Sequence, residues 1–347
     1  MALYVVACRF RTYVAGFLRM RMPVLRFRIA GFGTAVTSSC RSALRISAFV
    51  ALAMLAASCT RGATRDATSS RDSASNSSSS IIRDDFGRAI SFATPPSRVV
   101  SLNPTTTELI FAIGAGSRLA GRSHWDEWPD SAKTVPDMGN GISPNVEKIV
   151  AAHPDLVLLY ASEDNRPAAE RLESSGIRTI SLRIDRVADF DRSVRLLGRV
   201  LGDSAKAALV ADTVAASLRR VAAATSGLHH PTVVWPLIDT SPMVVGGGSF
   251  MNELLSIAGA RNIYAYLPQP SPIVSIEDVI AKNPDLVIRG GEGGSDAPLG
   301  GVWRAVPAIA QGHVIRIPLT MILRPSVQMG AAATVLARAL HPEIVLP

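Results

Sequence analysis

Two segments of this chain spell nearly the same thirteen residues. Residues 146–158 read VEKIVAAHPDLVL and residues 276–288 read IEDVIAKNPDLVI, identical at six positions. In each copy, apolar residues at helical spacing run up to a proline, Pro154 or Pro284. Proline cannot continue a helix, because it lacks an N–H and biases the residue before it away from helical geometry. The Asp that follows turns the chain into a short apolar run, 156–159 or 286–288, bounded like a buried strand. A second pair lies upstream: ELIFAIGA from Glu108 and ELLSIAGA from Glu253, closing on Gly114 and Gly259 as helix C-termini do. One short apolar match arises by chance, but two different ones in the same order indicate a duplicated unit.

Between the halves, residues 187–224 carry apolar side chains at steps of three and four, including Val187, Phe190, Val194, Leu197, Leu201, Leu209, Leu218 and Val221. That is the helical period. Gly202 followed by Asp203 and Ser204 breaks the run and caps a fresh helix. A flexible linker would be richer in Gly, Ser and Pro, so the second helix is expected to act as a rod. Strands alternating with helices imply parallel sheets. The fold class is α/β: two similar lobes with parallel-type sheets, joined by a long rigid backbone helix, with a ligand cleft between them. The expected divisions are 1–58, 59–80, 81–186 for the N-lobe, 187–228 for the helical region and 229–347 for the C-lobe.

The first 58 residues hold eight Arg and no Lys, Asp or Glu, although the whole chain counts 36 basic against 28 acidic residues. Without that prefix the balance is 28 against 28, so the calculated excess belongs to the prefix alone. A neutral body is a poor nucleic-acid binder, because phosphate neutralisation needs a basic surface. Arg41 and Arg45, the apolar run 46–57 and small residues before Cys59 have the order of a secretory signal. The run is too short to span a bilayer comfortably. Leu55-Ala56-Ala57-Ser58-Cys59 resembles a bacterial lipobox, which makes Cys59 the expected lipidation site and mature N-terminus. Its Leu stands four places before the Cys rather than the usual three, and residues 1–40 have the look of an over-extended start. Cys8, Cys40 and Cys59 are the only cysteines, so the body has no disulfide, zinc–thiolate site or Cys nucleophile. Residues 60–80, with eight serines from 69 to 80, have the composition of a disordered tether. A β-hairpin over 81–92 is expected to precede a folded body that begins at Arg98.

Parallel sheets hold ligands outside the carboxyl ends of their strands. The expected strands 99–102, 119–122, 156–160 and 179–182 therefore nominate Thr105, His124, Trp125, Asn140 and Tyr160 as cleft residues. In the second half the same logic nominates Trp235, Gln269, Glu292 and Arg324. Aromatic and polar groups in Gly/Pro-punctuated loops are the profile of a small-molecule pocket. Each has a blander role open to it. Trp125 and Trp128 serve equally as cover for a sheet edge, and Arg324 suits a ligand oxyanion or a structural ion pair. Thr105 and Glu108 have capping-box spacing. The run Gly246-Gly247-Gly248-Ser249 suits an anion at a helix start or simply a tight turn. Gly114, Gly116 and Gly121 close a helix rather than open one, which excludes a dinucleotide fingerprint. There is no GxSxG, HExxH or GxxxxGK[ST]. The six histidines show no ligand spacing, so neither a metal centre nor a catalytic set is expected.

The segments RVVSLNPTTTELIFAIGAG, VEKIVAAHPDLVLLY, GGGSFMNELLSIAGARN and VSIEDVIAKNPDLVI together resemble the helical-backbone (class III) substrate-binding proteins of bacterial ABC importers, the receptors for cobalamin, iron-siderophores and haem. The resemblance implies a lipid-anchored, exported, monomeric receptor. It would capture a metal chelate, cobalamin or a ferric siderophore, and deliver it to an ABC permease and its ATPase subunits. It implies no resident cofactor, no chemistry on the ligand and no membrane contact beyond the anchor. In that family a surface glutamate on each lobe docks with the permease, and the matching positions are taken as Glu108 and Glu253. Positions matched to corrin-stacking aromatics are Gly141 and Ser271, for which Trp125, Trp128 and Trp235 are possible substitutes; Arg324 and Tyr160 suit a siderophore. The alternatives are a haem receptor of the same fold, a lipoprotein sensor or adaptor, and a cleft hydrolase.

Overall fold

The computed structural model describes residues 81–238, 240–290 and 300–346. The export segment 1–58, Cys59, the serine-rich tether and Glu292 lie outside the described residues. In chain order, a hairpin of β1 (Ile82–Arg83) and β2 (Ala89–Ile90) turns at Gly87. The N-lobe follows as β3 (Val99–Ser101), α1 (Pro104–Ala112), β4 (Leu119–Arg122), α2 (Val146–Ala151), β5 (Leu156–Tyr160), α3 (Arg166–Ser174) and β6 (Arg178–Leu182). Two helices, α4 (Val187–Leu201) and α5 (Ser204–Thr225), lead to the C-lobe. That lobe comprises β7 (Thr232–Val234), α6 (Phe250–Ile257), β8 (Arg261–Asn262), α7 (Ile276–Lys282), β9 (Leu286–Gly290), α8 (Pro307–Ala310), β10 (Val314–Ile317) and α9 (Met329–Leu340).

Both sheets are parallel, ordered β4-β3-β5-β6 and β8-β7-β9-β10. Numbered within its own lobe each reads 2-1-3-4, so the repeat in the sequence is a repeat of topology. Its shared residues do matching work. The helices α2 and α7 end in positive-φ residues at His153 (φ 47) and Asn283 (φ 41), one place before each proline. Asp155 then accepts the N–H of Ser97 at 2.7 Å and of Arg98 at 3.0 Å, just ahead of β3. Asp285 accepts the N–H of Thr232 at 2.7 Å and its hydroxyl at 2.6 Å, at the start of β7. Each aspartate therefore ties the opening of a lobe's first strand to that of its third, beyond turning the local chain.

The predicted helix break falls at Gly202, which closes α4 at φ 76, while the Asp203 side chain accepts the Lys206 N–H to cap α5. At 22 residues and 1.5 Å per residue, α5 is about 33 Å long. Its buried side chains are Ala207, Ala211, Val214, Leu218, Val221 and Thr225, a stripe of alternating steps of four and three along one face. Gly198 lets α4 cross closely, since a Cβ there would sit 2.3 Å from that of Ala207.

These two helices lie in a core shared by both lobes. Leu156 and Leu158 of β5 belong to it, as do Val233 of β7 and Ile288 of β9, together with Phe190, Val194 and Leu197 of α4 and Leu218 of α5. The alternate residues face outward into separate small cores: Val157 and Leu159 with Ile149 and Leu172 in the N-lobe, and Val234 and Val287 with Val279 and Trp303 in the C-lobe. The period of two along each strand thus divides the interior. One face of every sheet is committed to the backbone helices, which couples the lobes mechanically.

Several expectations need correction. The folded body begins at Ile82 rather than Arg98. Ile82 and Ile90 are in the shared core, and Asp84 accepts the Ser181 N–H at 3.1 Å, clipping the hairpin onto β6. The first C-lobe strand stops at Val234, and beyond it Val244 and Met243 form isolated bridges with Pro236 and Ile273. Trp235 is 1 % exposed and packs in the shared core, outside any cleft. Continuing the alternation from Val233, it points toward the helices.

Candidate functional site

A cavity of about 420 Å³ opens between the lobes, within the range of small-molecule sites, roughly 300–1,000 Å³. Its N-lobe wall comes from the carboxyl ends of β3 and β4, with Leu102, Trp125 and Trp128 prominent, and from Gly141 and Ile142. Its C-lobe wall is the segment after β10, with Thr320, Leu323, Arg324 and Gln328. Trp128 is exposed, and His124 stacks edge-on against Trp125 with centroids 5.1 Å apart. Two indoles, with Glu127, Asp130 and Lys133 beside them, thus face a guanidinium. The wall is shaped from beneath: Gly141 admits no Cβ, which would meet the Leu102 carbonyl at 2.2 Å. Asn165 donates to the carbonyls of Gly141 at 2.9 Å and Tyr160 at 3.0 Å. Sequence reasoning passed over Asn165, because its role is visible only once both partners are adjacent.

Of the nominated cleft residues, Trp125 and Arg324 line this cavity. Thr105 sits just behind it, 2 % exposed, donating its hydroxyl across the lobes to the Pro325 carbonyl at 2.8 Å. Asn140 folds back to accept the Ile142 N–H at 2.8 Å, so it shapes the wall rather than facing the opening. His124 pairs its Nδ1 with Asp137 at 3.0 Å. Tyr160 is buried and donates to both oxygens of Asp185; burial and the adjacent carboxylate push its phenol above the ordinary range. Gln269 is exposed and stands apart from the cavity lining. Tyr160, Gln269 and Trp235 are thus not brought to the cavity.

Glu108 and Glu253 were expected on the surface, and Glu108 is instead sealed. Its side chain is 1 % exposed and paired with Arg324, with Oε1 accepting from Nε at 3.1 Å and Nη2 at 2.5 Å. Burial pushes its carboxyl up to about 7, against the opposing pull of Arg324. Asp126 lies alongside, held by the hydroxyls of Thr107 and Ser123, and burial raises it too. The capping-box reading also fails, because Asn103 caps α1 by accepting the Thr105 N–H. Glu253 is half-buried and bonds to Arg186 and to the Val187 N–H at the head of α4. The two glutamates are equivalent in the repeat, and each reaches an arginine in the segment that follows the last strand of the opposite lobe. They form reciprocal ties between the lobes.

The glycine run before α6 is a turn. Cβ atoms at Gly246, Gly247 and Gly248 would lie 2.0–2.1 Å from neighbouring carbonyl oxygens. The Gly246 and Gly247 N–H groups already donate to Pro270 and Leu267, and Ser249 caps the helix. Among the described residues, no cluster of three or more His, Cys, Asp or Glu is placed to hold a metal, and no helix is long and apolar enough to cross a membrane.

The family model described as periplasmic binding protein matches residues 99–319. The chain is 25 % identical over 233 residues to the vitamin B12-binding protein of Vibrio parahaemolyticus, covering 67 % of this chain and 85 % of that one. It is 24 % identical over 271 residues to an uncharacterised ABC transporter substrate-binding lipoprotein of Bacillus subtilis, covering 76 % and 85 %. In structure it resembles the periplasmic haem-binding protein RhuT of Roseiflexus sp. RS-1 in apo form. The TM-score is 0.63 at 22 % identity, over 71 % of this chain and 98 % of that one.

Proposed function

From the premise that this chain belongs to the periplasmic binding protein family, as a substrate-binding protein of an ABC transporter, we propose that it captures a metal chelate in the interlobe cleft and hands it to a membrane permease. Cobalamin or another corrinoid is the first candidate ligand and a ferric siderophore the second; haem is the alternative. The carrying observation is the cleft itself. Two tryptophans from one lobe face Arg324 from the other across about 420 Å³, which suits a flat, partly apolar ligand with polar edges. The vitamin B12-binding relative at 25 % identity supports the corrinoid. The receptor does no chemistry on its ligand. Cys59 carries the lipid, and the tether lets the body reach the permease from the membrane face.

With Glu108 enclosed, the docking pair moves to the other repeated segment. Glu147 and Glu277 occupy matching second positions of α2 and α7 and both are exposed. One carboxylate per lobe, at matching places, would allow a permease to read lobe spacing through charge complementarity.

Titration calorimetry with cyanocobalamin, ferrichrome and haemin tests the ligand class. Saturable one-to-one heat with at least one of them is expected, and silence toward all three would remove the metal-chelate reading.

A further inference from the structure

Arg324 and Glu108 belong to different lobes and are 216 positions apart, yet they share two hydrogen bonds. Arg324 also stands in the wall of the cavity, with 18 % of its side chain exposed. A guanidinium carries five N–H donors in a planar fork, and the pair with Glu108 occupies two of them. Glu108 Oε2 is buried without a hydrogen-bond partner among the described residues. A fully enclosed carboxylate with one unsolvated oxygen is costly unless a cation or a proton compensates it. The carboxyl is therefore poised to exchange one compensation for the other.

We propose that Arg324 is the specificity-determining residue of the cleft and is shared between Glu108 and an oxyanion, carboxylate or phosphate, on the ligand. When ligand enters, the guanidinium turns its hydrogen bonds to the ligand oxyanion and Glu108 takes up one proton from water. This rests on the cleft being the ligand site. The charge balances: a neutral Glu⁻/Arg⁺ pair becomes a neutral acid beside a neutral Arg⁺/ligand⁻ pair.

The direction with pH follows from the groups facing Glu108, which are Arg324 from the C-lobe segment and Asp126 from the loop after β4. In the empty cleft the carboxyl stands at about 7, raised by burial and lowered by Arg324. Losing Arg324 removes the lowering contributions and leaves burial and Asp126, which both raise it. The bound state therefore holds its proton to higher pH. Affinity for an anionic ligand is flat well below pH 7, where the proton is already present, and falls above it by up to about tenfold per pH unit.

The test uses the full chain and two probe pairs: haemin against its dimethyl ester, which differ in their carboxylates, and cyanocobalamin against dicyanocobinamide, which lacks the entire nucleotide loop with its phosphodiester. Calorimetry is run at pH 6, 7 and 8 in two buffers of different ionisation enthalpy, so that proton uptake is read directly from the wild-type chain. For the anionic member of the pair that binds, uptake should approach one proton at pH 8, and affinity should fall about fivefold from pH 7 to pH 8. Glu108→Gln should abolish both effects, and Arg324→Gln should remove the preference for the anionic member. Equal binding of both members, or anionic binding with no proton uptake, overturns this inference and leaves the receptor reading standing. Silence toward all four probes and toward ferrichrome overturns both.

Discussion

Glu108→Gln should change how stability depends on pH, and the size of the change follows from one burial. The Glu108 carboxyl stands at about 7 against an ordinary 4.5, because its side chain is 1 % exposed and desolvation outweighs Arg324. A folded-state value raised above the unfolded one means that the folded protein binds the proton more tightly. The resulting stability is complete below pH 4.5 and is lost as pH rises through 7. The full displacement of about 2.5 units corresponds to about 3 kcal/mol, and about 2.5 kcal/mol of that is lost between pH 5 and pH 8. Gln keeps the shape and the acceptor for Arg324 but does not titrate. Urea unfolding of both proteins at pH 5, 6, 7 and 8 isolates the group together with its coupling to Asp126 by difference, since the remaining titrations are common to both. The gap between the two stabilities should move by about 2.5 kcal/mol across that range, or roughly 0.8 M in midpoint at a slope of about 3 kcal/mol/M. Curves that stay parallel within about 0.5 kcal/mol would refute the argument that burial dominates this carboxyl.

Four other outcomes are expected. Charge reversal at the exposed pair, Glu147→Arg with Glu277→Arg, should abolish permease-dependent uptake in proteoliposomes while ligand affinity in calorimetry stays within about twofold, since neither residue is at the cavity. Asp155→Ala and Asp285→Ala each remove charge-assisted hydrogen bonds to strand-opening N–H groups and should each cost about 1–3 kcal/mol in chemical denaturation; a loss confined to one lobe would contradict their equivalence. Trp235→Ala empties the shared core and should cost about 3–5 kcal/mol. Trp125→Ala should weaken ligand binding by at least tenfold with little change in thermal midpoint, and the reverse pattern would exchange their roles.

The boundaries of β4 and β5, the break at Gly202 and the hairpin at Gly87 were readable because each is set by neighbours in sequence: apolar alternation, a left-handed glycine, an Asp cap. The two-residue strand β8, Arg261–Asn262, carries no such signal and exists because β7 offers it an edge. Trp235 could have been excluded from the cleft by following the alternation from Val233, since period-two geometry assigns both to one face.

The duplicated motifs by themselves determined that there are two lobes of one topology with helices between them, because repeated periodicity and repeated stop signals are local chemistry written twice. Which glutamate is buried and which is exposed was decided only by the tertiary structure. Glu108 stands midway along α1, a helix buried from Pro104 to Ile110, and Glu147 stands in the exposed first turn of α2. The difference is that the opposite lobe brings Arg324 against the first and nothing over the second, a meeting between residues 216 positions apart that depends on how both sheets seat on the same pair of helices.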